Sequence, residues 1–261
     1  MTADRWAETP MFILRRDCIG YATREWQPGR FLEMGAGTGR LTAGFLERGF
    51  TGTCYDLGSE SRALLRSNLA TFGASVQVVD TLDAVAVGSF DYVFAFEVLE
   101  HIDSDVDALR AWIRFLKPGG RLLISVPAHM RKFGDEDRAV GHHRRYEKAQ
   151  LERMLVAVGC GAPRVLSYGF PLAILTRHGN QLLTRLKGNS NEPSGADKEA
   201  LSIRSGVERS DASLRLARVV NRRTLSPFVV LQRVFFETDW GDGYVAQAVR
   251  SKPMSRDVSA G

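Results

Sequence analysis

A carboxylate, a glycine-rich loop and two further acidic residues form the strongest chemical signal in this chain. Glu33 precedes loop 35–39, which holds three glycines, and Asp56 and Asp80 follow. Glycines at this spacing let the backbone turn sharply and let a ligand approach main-chain N–H groups closely. The dinucleotide fingerprint needs a glycine at position 40, where this chain has Arg40. A carboxylate before the loop would repel a pyrophosphate, and it suits a ligand with an ammonium and a sulfonium.

The two later carboxylates each end a predicted strand. Asp56 is placed to accept hydrogen bonds from both ribose hydroxyls, as acidic residues at that position do for NAD. Asp80 is placed to bind an adenine amino group, with Leu82 beside the ring. For any single carboxylate, a helix cap or a surface charge is the ordinary alternative. Acidic residues at consecutive strand ends, on the edge where open α/β sheets bind ligands, favour a binding site.

Strand and helix patterns alternate along the chain, which indicates a doubly wound parallel sheet. The helices between the strands have the apolar spacing of 3.6 residues, and the central strands are continuous apolar runs. The predicted strands are residues 31–34, 51–56, 75–80, 91–96, 121–126, 164–167 and 243–250. The predicted helices are residues 9–26, 39–48, 104–116 and 148–158, with another that begins at 59.

Composition points to an ordinary globular protein. The 261 residues are 44% hydrophobic and 25% charged, with a net charge of +5. Cys18, Cys54 and Cys160 are widely spaced, which predicts reduced, buried thiols instead of disulfides or a zinc site. The N-terminus lacks the features of a signal peptide, and no stretch approaches the roughly 20 apolar residues of a membrane span. We therefore expect a soluble, cytoplasmic protein.

The positive charge is concentrated in the C-terminal third. Residues 171–236 hold eleven Arg or Lys against five Asp or Glu. This region could meet an acidic or phosphorylated substrate or an anionic membrane surface, and solvated helix faces are the alternative. Weak peripheral membrane contact of the amphipathic stretch after Phe170 stays open. No Lys/Arg run is dense enough to predict a nucleic-acid partner. The sequence is compatible with a monomer or a homodimer.

Five motifs together resemble a known family. They are LEMGAGTG at 32–39, Asp56, VVDTL around Asp80, FDYVFAFEVLEHI and LKPGGRLLISVP. Over about residues 30–168 the chain resembles class I S-adenosylmethionine-dependent methyltransferases. The resemblance implies a Rossmann-like α/β fold, a doubly wound seven-stranded sheet that is mostly parallel with an antiparallel last strand. It also implies S-adenosylmethionine as cofactor and S-adenosylhomocysteine as product.

The resemblance assigns expected contacts with the cofactor. Glu33 and the glycine loop line its methionine end, Asp56 holds the ribose, Asp80 holds the adenine, and Glu97 lies near the reacting methyl group. The full expected set is Glu33, Gly35, Ala36, Gly37, Gly39, Asp56, Leu57, Asp80, Thr81, Leu82 and Glu97.

Domain organisation follows from the same reading. We expect an N-terminal helical cap, a cofactor-binding core, a basic helical insertion or lid with a mobile loop at 188–210, a closing strand and a flexible tail. The boundaries are 1–30 for the cap, 31–170 for the core, 171–242 for the insertion, 243–250 for the strand and 251–261 for the tail.

The acceptor is addressed by two stretches. After the fourth predicted strand, residues 97–102 read EVLEHI, where enzymes acting on exocyclic base nitrogens usually carry Asp/Asn-Pro-Pro-Tyr/Phe. This resembles the branch that methylates hydroxyls and carbons of small molecules. Residues 127–146 resemble the P…D…GHxRRY signature of bacterial methyltransferases often linked to glycan, lipid or natural-product pathways.

A hydroxyl acceptor must lose a proton, and histidine is the usual base near neutral pH. His142 is the first candidate, followed by His143 and His101; a purely structural role for His142 is the alternative. The expected substrate-binding residues are Arg144, Arg145, Tyr146 and His129.

Two simpler readings of this loop stay open. The arginines would simply pair with Asp135 and Asp137 if they are structural. Acidic residues 135–137 beside histidines also suggest a divalent metal, but such clusters are more often salt-bridged loops, so no metal is predicted.

These observations predict an O-methyltransferase acting on a sugar, a glycolipid or a secondary metabolite. C- or N-methylation of a natural product is the alternative within enzymes, and neither would strictly need His142. A non-catalytic module that binds S-adenosylmethionine is the alternative of another class. An RNA methyltransferase is disfavoured because the base-recognition motif is missing.

Overall fold

The structure is a computed structural model that describes residues 8–173 and 224–252. The predicted mobile loop at 188–210, most of the predicted insertion and residues 253–261 of the predicted tail lie outside the described residues. The cofactor-binding core and the closing strand are described throughout.

Helices and strands alternate along the described chain as the sequence predicts. The helices are α1 Pro10–Ala22, α2 Arg40–Leu46, α3 Ser59–Asn68, α4 Asp105–Ile113, α5 Asp135–Ala139, α6 Lys148–Ala157 and α7 Ser226–Gln232. The strands are β1 Arg30–Met34, β2 Thr51–Tyr55, β3 Val76–Val79, β4 Phe90–Phe96, β5 Leu116–Pro127, β6 Cys160–Tyr168 and β7 Gly243–Arg250.

The strands form one seven-stranded sheet in the order β3-β2-β1-β4-β5-β7-β6. β1 pairs in parallel with β2 and β4, and β7 runs antiparallel to both β5 and β6. This confirms the predicted doubly wound, Rossmann-like sheet with an antiparallel last strand.

Both faces of the sheet are covered, because successive residues of its central strands point to opposite sides. Phe31 and Phe94 pack with α1, α2 and α3 on one face. Their neighbours Leu32 and Val93 pack with α4 and α6 on the other face. The apolar runs in β1 and β4 are therefore buried on both sides, as expected for central parallel strands.

The strand order decides where the functional residues meet. The carboxyl ends of β3, β2, β1 and β4 lie side by side along one edge of the sheet. Residues that immediately follow these strands, such as Asp80, Asp56, Gly35 and Glu97, therefore share that edge in this spatial order.

Two predictions on composition concern burial and membrane spans. Cys18, Cys54 and Cys160 are free and buried, which confirms the predicted thiols. Among the described residues, no helix has both the length and the hydrophobicity that are needed to cross a membrane.

Candidate active site

The glycine loop after β1 leaves open space beside one of its glycines. Gly35, Gly37 and Gly39 have φ of +63°, +54° and +73°, a region that non-glycine residues rarely adopt. A Cβ at Gly35 would lie 2.7 Å from Val98, and one at Gly39 would lie 2.5 Å from Leu65. A Cβ at Gly37 would meet no atom of the described residues within 4 Å. A ligand can therefore approach the backbone closely at Gly37.

Asp56 links this loop to the start of α3. Its two carboxylate oxygens accept hydrogen bonds from the N–H groups of Gly37 and Gly58, each at 2.9 Å. The N–H groups of Gly35 and Ala36 donate to the carbonyl of Tyr55, the residue before Asp56. Because a carboxylate oxygen has two lone pairs, a half-buried Asp56 held in this way can still accept hydrogen bonds from two ligand hydroxyls.

Glu33 is a buried acid at the end of β1. It is 2% exposed, and one of its oxygens accepts a 2.6 Å hydrogen bond from the Thr42 hydroxyl. Burial raises its pKa to about 8, helped by the negative charge of Asp56 and opposed by the Thr42 hydrogen bond. A ligand with an ammonium group would stabilise the ionised form of this carboxyl group.

The adenine side predicted from the sequence is the open part of the edge. Asp80 has a side chain that is 66% exposed, and its carboxylate lies 4.0 Å from the Arg62 guanidinium. Leu57 is 63% exposed and Thr81 is exposed, whereas Leu82 is half-buried against the core. These four predicted contacts line the solvent side of the strand ends.

Glu97, directly after β4, is held in an unusual conformation. Its φ is +55°, and one carboxylate oxygen accepts from the Ser125 hydroxyl at 2.9 Å and from the Tyr168 hydroxyl at 3.2 Å. The same oxygen lies 3.2 Å from the guanidinium of Arg15. Burial disfavours its charge, but Arg15 and Ser125 outweigh burial and lower the pKa of Glu97. A strained residue fixed by three partners is typical of functional sites.

Next to it lies a buried carboxyl group that accepts no hydrogen bond from the described residues. Glu100 is fully buried, and neither of its oxygens has a hydrogen-bond partner among the described residues. Burial and the charge of Glu97 raise the pKa of Glu100 well above its usual value. In the same part of the site, Nδ1 of His101 is buried without a described partner, and burial and His142 lower the pKa of this imidazole to about 4.

His142 is oriented by a buried aspartate. Its Nδ1 lies 2.9 Å from Oδ1 of Asp137, and its Nε2 lies 3.8 Å from Oε1 of Glu100. Arg145 also binds both oxygens of Asp137, each at 2.9 Å. Burial disfavours the charge of Asp137, but the bonds from His142 and Arg145 outweigh it and lower the pKa of Asp137 to about 2. His142 therefore faces an ionised carboxylate at Nδ1.

The other residues of the GHxRRY stretch lie around this pair. Arg144 pairs with Asp103 and Asp105, not with Asp135 as the structural alternative supposed, whereas the Arg145–Asp137 pair of that alternative is present. Tyr146 is fully buried and donates to Asp105 at 3.0 Å, so the structure places its side chain beneath the site.

Two predicted histidines are more peripheral. The side chain of His143 is 28% exposed, and the backbone N–H of His143 donates to the carbonyl of Glu100. His129 is not beside His142: its ring pairs with Glu147 and lies near Asp239 in a separate cluster.

The sequence analysis missed several groups in the site. Arg15 comes from α1, Ser125 from β5 and Tyr168 from β6, and each reaches Glu97 from a distant part of the chain. Nothing local marks these three residues. Glu100 was visible within EVLEHI, but no sequence pattern predicts that it is buried without a hydrogen-bond partner among the described residues.

Three side chains of the site could hold a cation. One ligand atom from each of Glu100, His101 and His142 lies within 4.8 Å of the other two. At residues 135–137, where the sequence analysis weighed a metal against salt bridges, salt bridges are present. Asp135 is fully exposed and pairs with Arg138, and Asp137 pairs with Arg145.

The arrangement at the cofactor side fits S-adenosylmethionine. A buried carboxyl group at Glu33 suits its ammonium, open space at Gly37 suits close approach to the backbone, and Asp56 suits ribose hydroxyls. No dinucleotide needs the acid at Glu33, which would face a pyrophosphate.

Comparison with known proteins gives the family. A family model described as a methyltransferase domain matches residues 12–161. The ubiquinone biosynthesis O-methyltransferase of Xanthomonas axonopodis pv. citri (strain 306) is 32% identical over 134 residues, which cover 47% of this chain and 56% of the relative. That of Xanthomonas campestris pv. campestris (strain B100) is 35% identical over 136 residues, with the same coverage of 47% and 56%. The chain spans about half the length of these curated relatives.

Solved structures support the fold. Phosphoethanolamine N-methyltransferase 2 of Haemonchus contortus, in complex with S-adenosylmethionine, superposes with a TM-score of 0.56 at 18% identity, over 90% of this chain and 52% of that one. The cyclase SpnF superposes with a TM-score of 0.55 at 17% identity, over 97% and 85%. A fold shared with a cyclase does not decide the reaction, which must be argued from the site.

The family model covers more than half of the chain, and it spans the glycine loop and the loop of His142. The sheet, the strand-end carboxylates and this match agree, so the chain belongs to the class I S-adenosylmethionine-dependent methyltransferase family.

Proposed function

We propose that the protein transfers a methyl group from S-adenosylmethionine to a hydroxyl of a small molecule, such as a sugar, a glycolipid or a secondary metabolite. The observation that carries this proposal is His142, whose Nδ1 is held by ionised Asp137 beside the strand end that bears Glu97. An oriented imidazole is the group that a hydroxyl acceptor requires and that C-methylation does not.

The cofactor would lie along the ends of β1, β2 and β3. We assign Glu33 to its ammonium, the backbone at Gly37 to close contact, Asp56 to the ribose hydroxyls, and Asp80 to the adenine. When bound, S-adenosylmethionine supplies an electrophilic methyl group on a cationic sulfur. The remaining predicted contacts, Ala36, Leu57, Thr81 and Leu82, complete this surface.

His142 would act as the base. Because Asp137 accepts the proton on Nδ1, the lone pair on Nε2 is free to take the proton of the acceptor hydroxyl. The ionised carboxylate of Asp137 then stabilises the imidazolium that results. Positioning the acceptor oxygen in line with the methyl group lowers the activation barrier further, by up to about 7–11 kcal/mol in favourable cases.

The other predicted residues divide into two groups. We assign Arg145 and Tyr146 to support, because Arg145 is bound to Asp137 and Tyr146 is fully buried. Arg144 and His143 are partly exposed at the rim, where they could contact an acidic acceptor.

The names of the curated relatives support a hydroxyl acceptor. Those proteins are named O-methyltransferases of ubiquinone biosynthesis. They do not determine the acceptor of this chain, since the similarity covers 47% of it. C- or N-methylation, and cofactor binding without turnover, remain the alternatives that the experiments must separate.

The first experiment is isothermal titration with S-adenosylmethionine, S-adenosylhomocysteine and NAD. We expect micromolar binding of the two sulfur compounds and none of NAD. Asp56→Ala should weaken binding about 10- to 100-fold, because it removes the ribose acceptor and leaves the N–H groups of Gly37 in the loop and of Gly58 before α3 without their acceptor. Failure of the wild-type protein to bind either sulfur compound would contradict the proposal.

Acceptor screening follows with wild-type protein and measures release of S-adenosylhomocysteine. Methylation of hydroxylated compounds, confirmed by mass spectrometry of the product, would support O-methylation. Products methylated at carbon or nitrogen would favour the first alternative, and tight cofactor binding without any product across the screen would favour a non-catalytic module.

The carboxyl group of Glu100, which accepts no hydrogen bond from the described residues, favours a second chemistry at the same site. A divalent cation held by Glu100, His101 and His142 would satisfy both Glu100 oxygens and the free Nδ1 of His101. Such a cation would bind the acceptor oxygen and lower the pKa of its hydroxyl, which replaces the base role of His142.

Chelation separates the two versions. If His142 is the base, activity survives dialysis against EDTA and Glu100→Gln retains most of it. If a cation is used, EDTA abolishes activity, added Mg²⁺ or Mn²⁺ restores it, and Glu100→Gln weakens activation by the metal.

A further inference from the structure

His129 lies two residues after the end of β5, in a cluster separate from the active site. It is 3% exposed, and its φ of +66° lies in the region that non-glycine residues rarely adopt. Its N–H donates to the carbonyl of Tyr146 at 2.7 Å. A buried, strained histidine persists only where its surroundings fix it, so the contacts of its ring indicate what this position is built for.

One ring nitrogen of His129 has partners and the other has none. Nδ1 lies 3.2 Å from Oε2 of Glu147 and 3.5 Å from the Tyr244 hydroxyl. Nε2 is buried without a hydrogen-bond partner among the described residues. A proton on Nδ1, shared with Glu147, leaves a lone pair on Nε2, and this atom lies 3.8 Å from Oδ1 of Asp239.

The distance between Nε2 of His129 and Oδ1 of Asp239 indicates what can bind between them. Nε2 and Oδ1 are 3.8 Å apart, too far for a hydrogen bond whichever atom carries the proton. A zinc-class ion binds histidine nitrogen at about 2.0–2.1 Å and carboxylate oxygen at about 2.0–2.2 Å. Two ligands of one ion can therefore stand 3.8 Å apart, with the ion between them.

The surrounding groups suit such an ion. One ligand atom from each of His129, Glu147 and Asp239 lies within 4.8 Å of the other two. A carboxylate on the second nitrogen of a metal-binding imidazole is the usual arrangement that fixes its tautomer. The Tyr244 hydroxyl donates to Oδ1 of Asp239 and holds this carboxylate in place. Glu147 and Asp239 have side chains about half exposed, so the carboxylate side of the cluster reaches solvent while the imidazole is buried.

Two lysines nearby are engaged elsewhere. Lys132 donates to the carbonyl of Gly241 and pairs with Asp242. Lys148 donates to the carbonyl of Glu237 at 3.0 Å. Glu147 and Asp239 lie near the two different ring nitrogens of the same imidazole.

We propose that His129 and Asp239, with Glu147 on the opposite ring nitrogen, form a binding site for a divalent transition metal of the zinc class. Imidazole with carboxylate favours such metals over Mg²⁺ or Ca²⁺, which prefer oxygen ligands alone. Water completes the coordination at the exposed side. The site is separate from the Glu100 cluster and independent of which acceptor the enzyme uses.

The site would tie three segments together. His129 lies two residues after β5, Glu147 precedes α6, and Asp239 lies shortly before β7. Residues 130–146 run between the first two and include Asp137 and His142. A bound ion would thus stabilise the loop that carries the proposed base, without touching the reacting groups.

Zinc titration of matched variants tests this proposal. The background is Glu100→Gln, which disables the other candidate cluster, and the test variant adds Asp239→Asn. Asparagine keeps the acceptor for Tyr244 but loses the charge that binds the ion. We expect one zinc per chain in the background by calorimetry, and at least tenfold weaker binding in the double variant. Visible absorption of bound Co²⁺ and a rise of Tm with zinc should be lost in parallel.

Other outcomes would overturn the proposal. These are no zinc binding in the Glu100→Gln background, or zinc binding that Asp239→Asn leaves unchanged. Circular dichroism checks that the variants fold. If Asp239→Asn does not fold, His129→Gln in the same background replaces it, with the same tenfold loss expected.

Discussion

The two halves of the active site are built in different ways. The cofactor side, with Glu33, loop 35–39 and Asp56, comes from one stretch of the chain, and much of it is backbone. The acceptor side brings together Arg15, Glu97, Glu100, His142 and Tyr168 from four distant segments. A short continuous stretch can be recognised from sequence, whereas a set of side chains assembled by the fold cannot.

The charges of the two halves also differ. Among the described residues, neither Glu33 nor Asp56 forms a side-chain ion pair, and their partners are a hydroxyl and backbone N–H groups. Arg15 pairs with Glu97 and Arg145 pairs with Asp137 at the acceptor side. The carboxyl groups of Glu33 and Asp56 are therefore left for a cationic ligand to pair with. At the acceptor side, arginines of the protein already pair with the carboxylates of Glu97 and Asp137, whereas Glu100 has no such pair among the described residues.

His142→Ala should produce the largest effect and should separate the two halves. If His142 is the base, kcat falls about 10²- to 10⁴-fold, because positioned general bases contribute by this factor. The Kd for S-adenosylmethionine should stay within about twofold, since the hydrogen bond of His142 is to Asp137 and not to Glu33, loop 35–39 or Asp56. Stopped-time assays of S-adenosylhomocysteine release, with calorimetry for binding, measure both quantities.

His143→Ala is the matched control for this change. The neighbouring histidine has a side chain that is 28% exposed and lies near Asp103, so its loss should change kcat only a few-fold. Equal losses in the two variants, or a small loss in His142→Ala alone, would show that His142 is not the base.

The fold and the turn of the glycine loop could be predicted from the sequence, for a physical reason. Only glycine readily adopts the positive φ found at positions 35, 37 and 39. The three glycines in the sequence therefore reveal the backbone conformation of the loop. The strand ends follow from apolar runs, and the strand order then places Asp56 next to the loop.

The acceptor side was predicted only in part. His142 was chosen for its chemistry, and Asp137 proved to be its partner through the turn of α5. Tyr146 reads as a binding residue in the GHxRRY stretch, but burial against Asp105 places it below the site. The Arg15–Glu97 pair depends on how α1 packs on the sheet, which no local pattern reports.

Glu33→Gln should test the electrostatics of the cofactor side. The pKa of Glu33 is raised from 4.5 to about 8, so the folded protein binds this proton more tightly than the unfolded chain. The stability from this group is fully present below about pH 4.5 and is lost as the pH rises to about 8. The loss is on the order of 4 kcal/mol at 1.36 kcal/mol per pKa unit.

Glutamine keeps an oxygen for Thr42 and never ionises, so the variant lacks this pH-dependent loss. Urea unfolding of the cofactor-free protein should show similar stability for both forms near pH 5 and a more stable variant at pH 8. The variant should also bind S-adenosylmethionine more weakly, because an amide does not balance the ammonium. Parallel pH dependences of the two proteins would contradict the proposed burial of an acid at this strand end.

Gly37→Ala should have the smallest effect on folding and a clear effect on binding. Its φ of +54° strains an alanine by about 1–2 kcal/mol, but the new Cβ meets no protein atom within 4 Å. Gly44→Ala is the matched control: it also adds a methyl group to open space, inside α2, where alanine is favoured over glycine by up to about 1 kcal/mol. We expect Tm to fall slightly in the first variant and to rise slightly in the second.

If the space at Gly37 belongs to the cofactor, the first variant binds S-adenosylmethionine at least tenfold more weakly and the second binds it normally. Unchanged affinity in Gly37→Ala would move the cofactor away from the loop and remove the basis for placing the methyl group near Glu97.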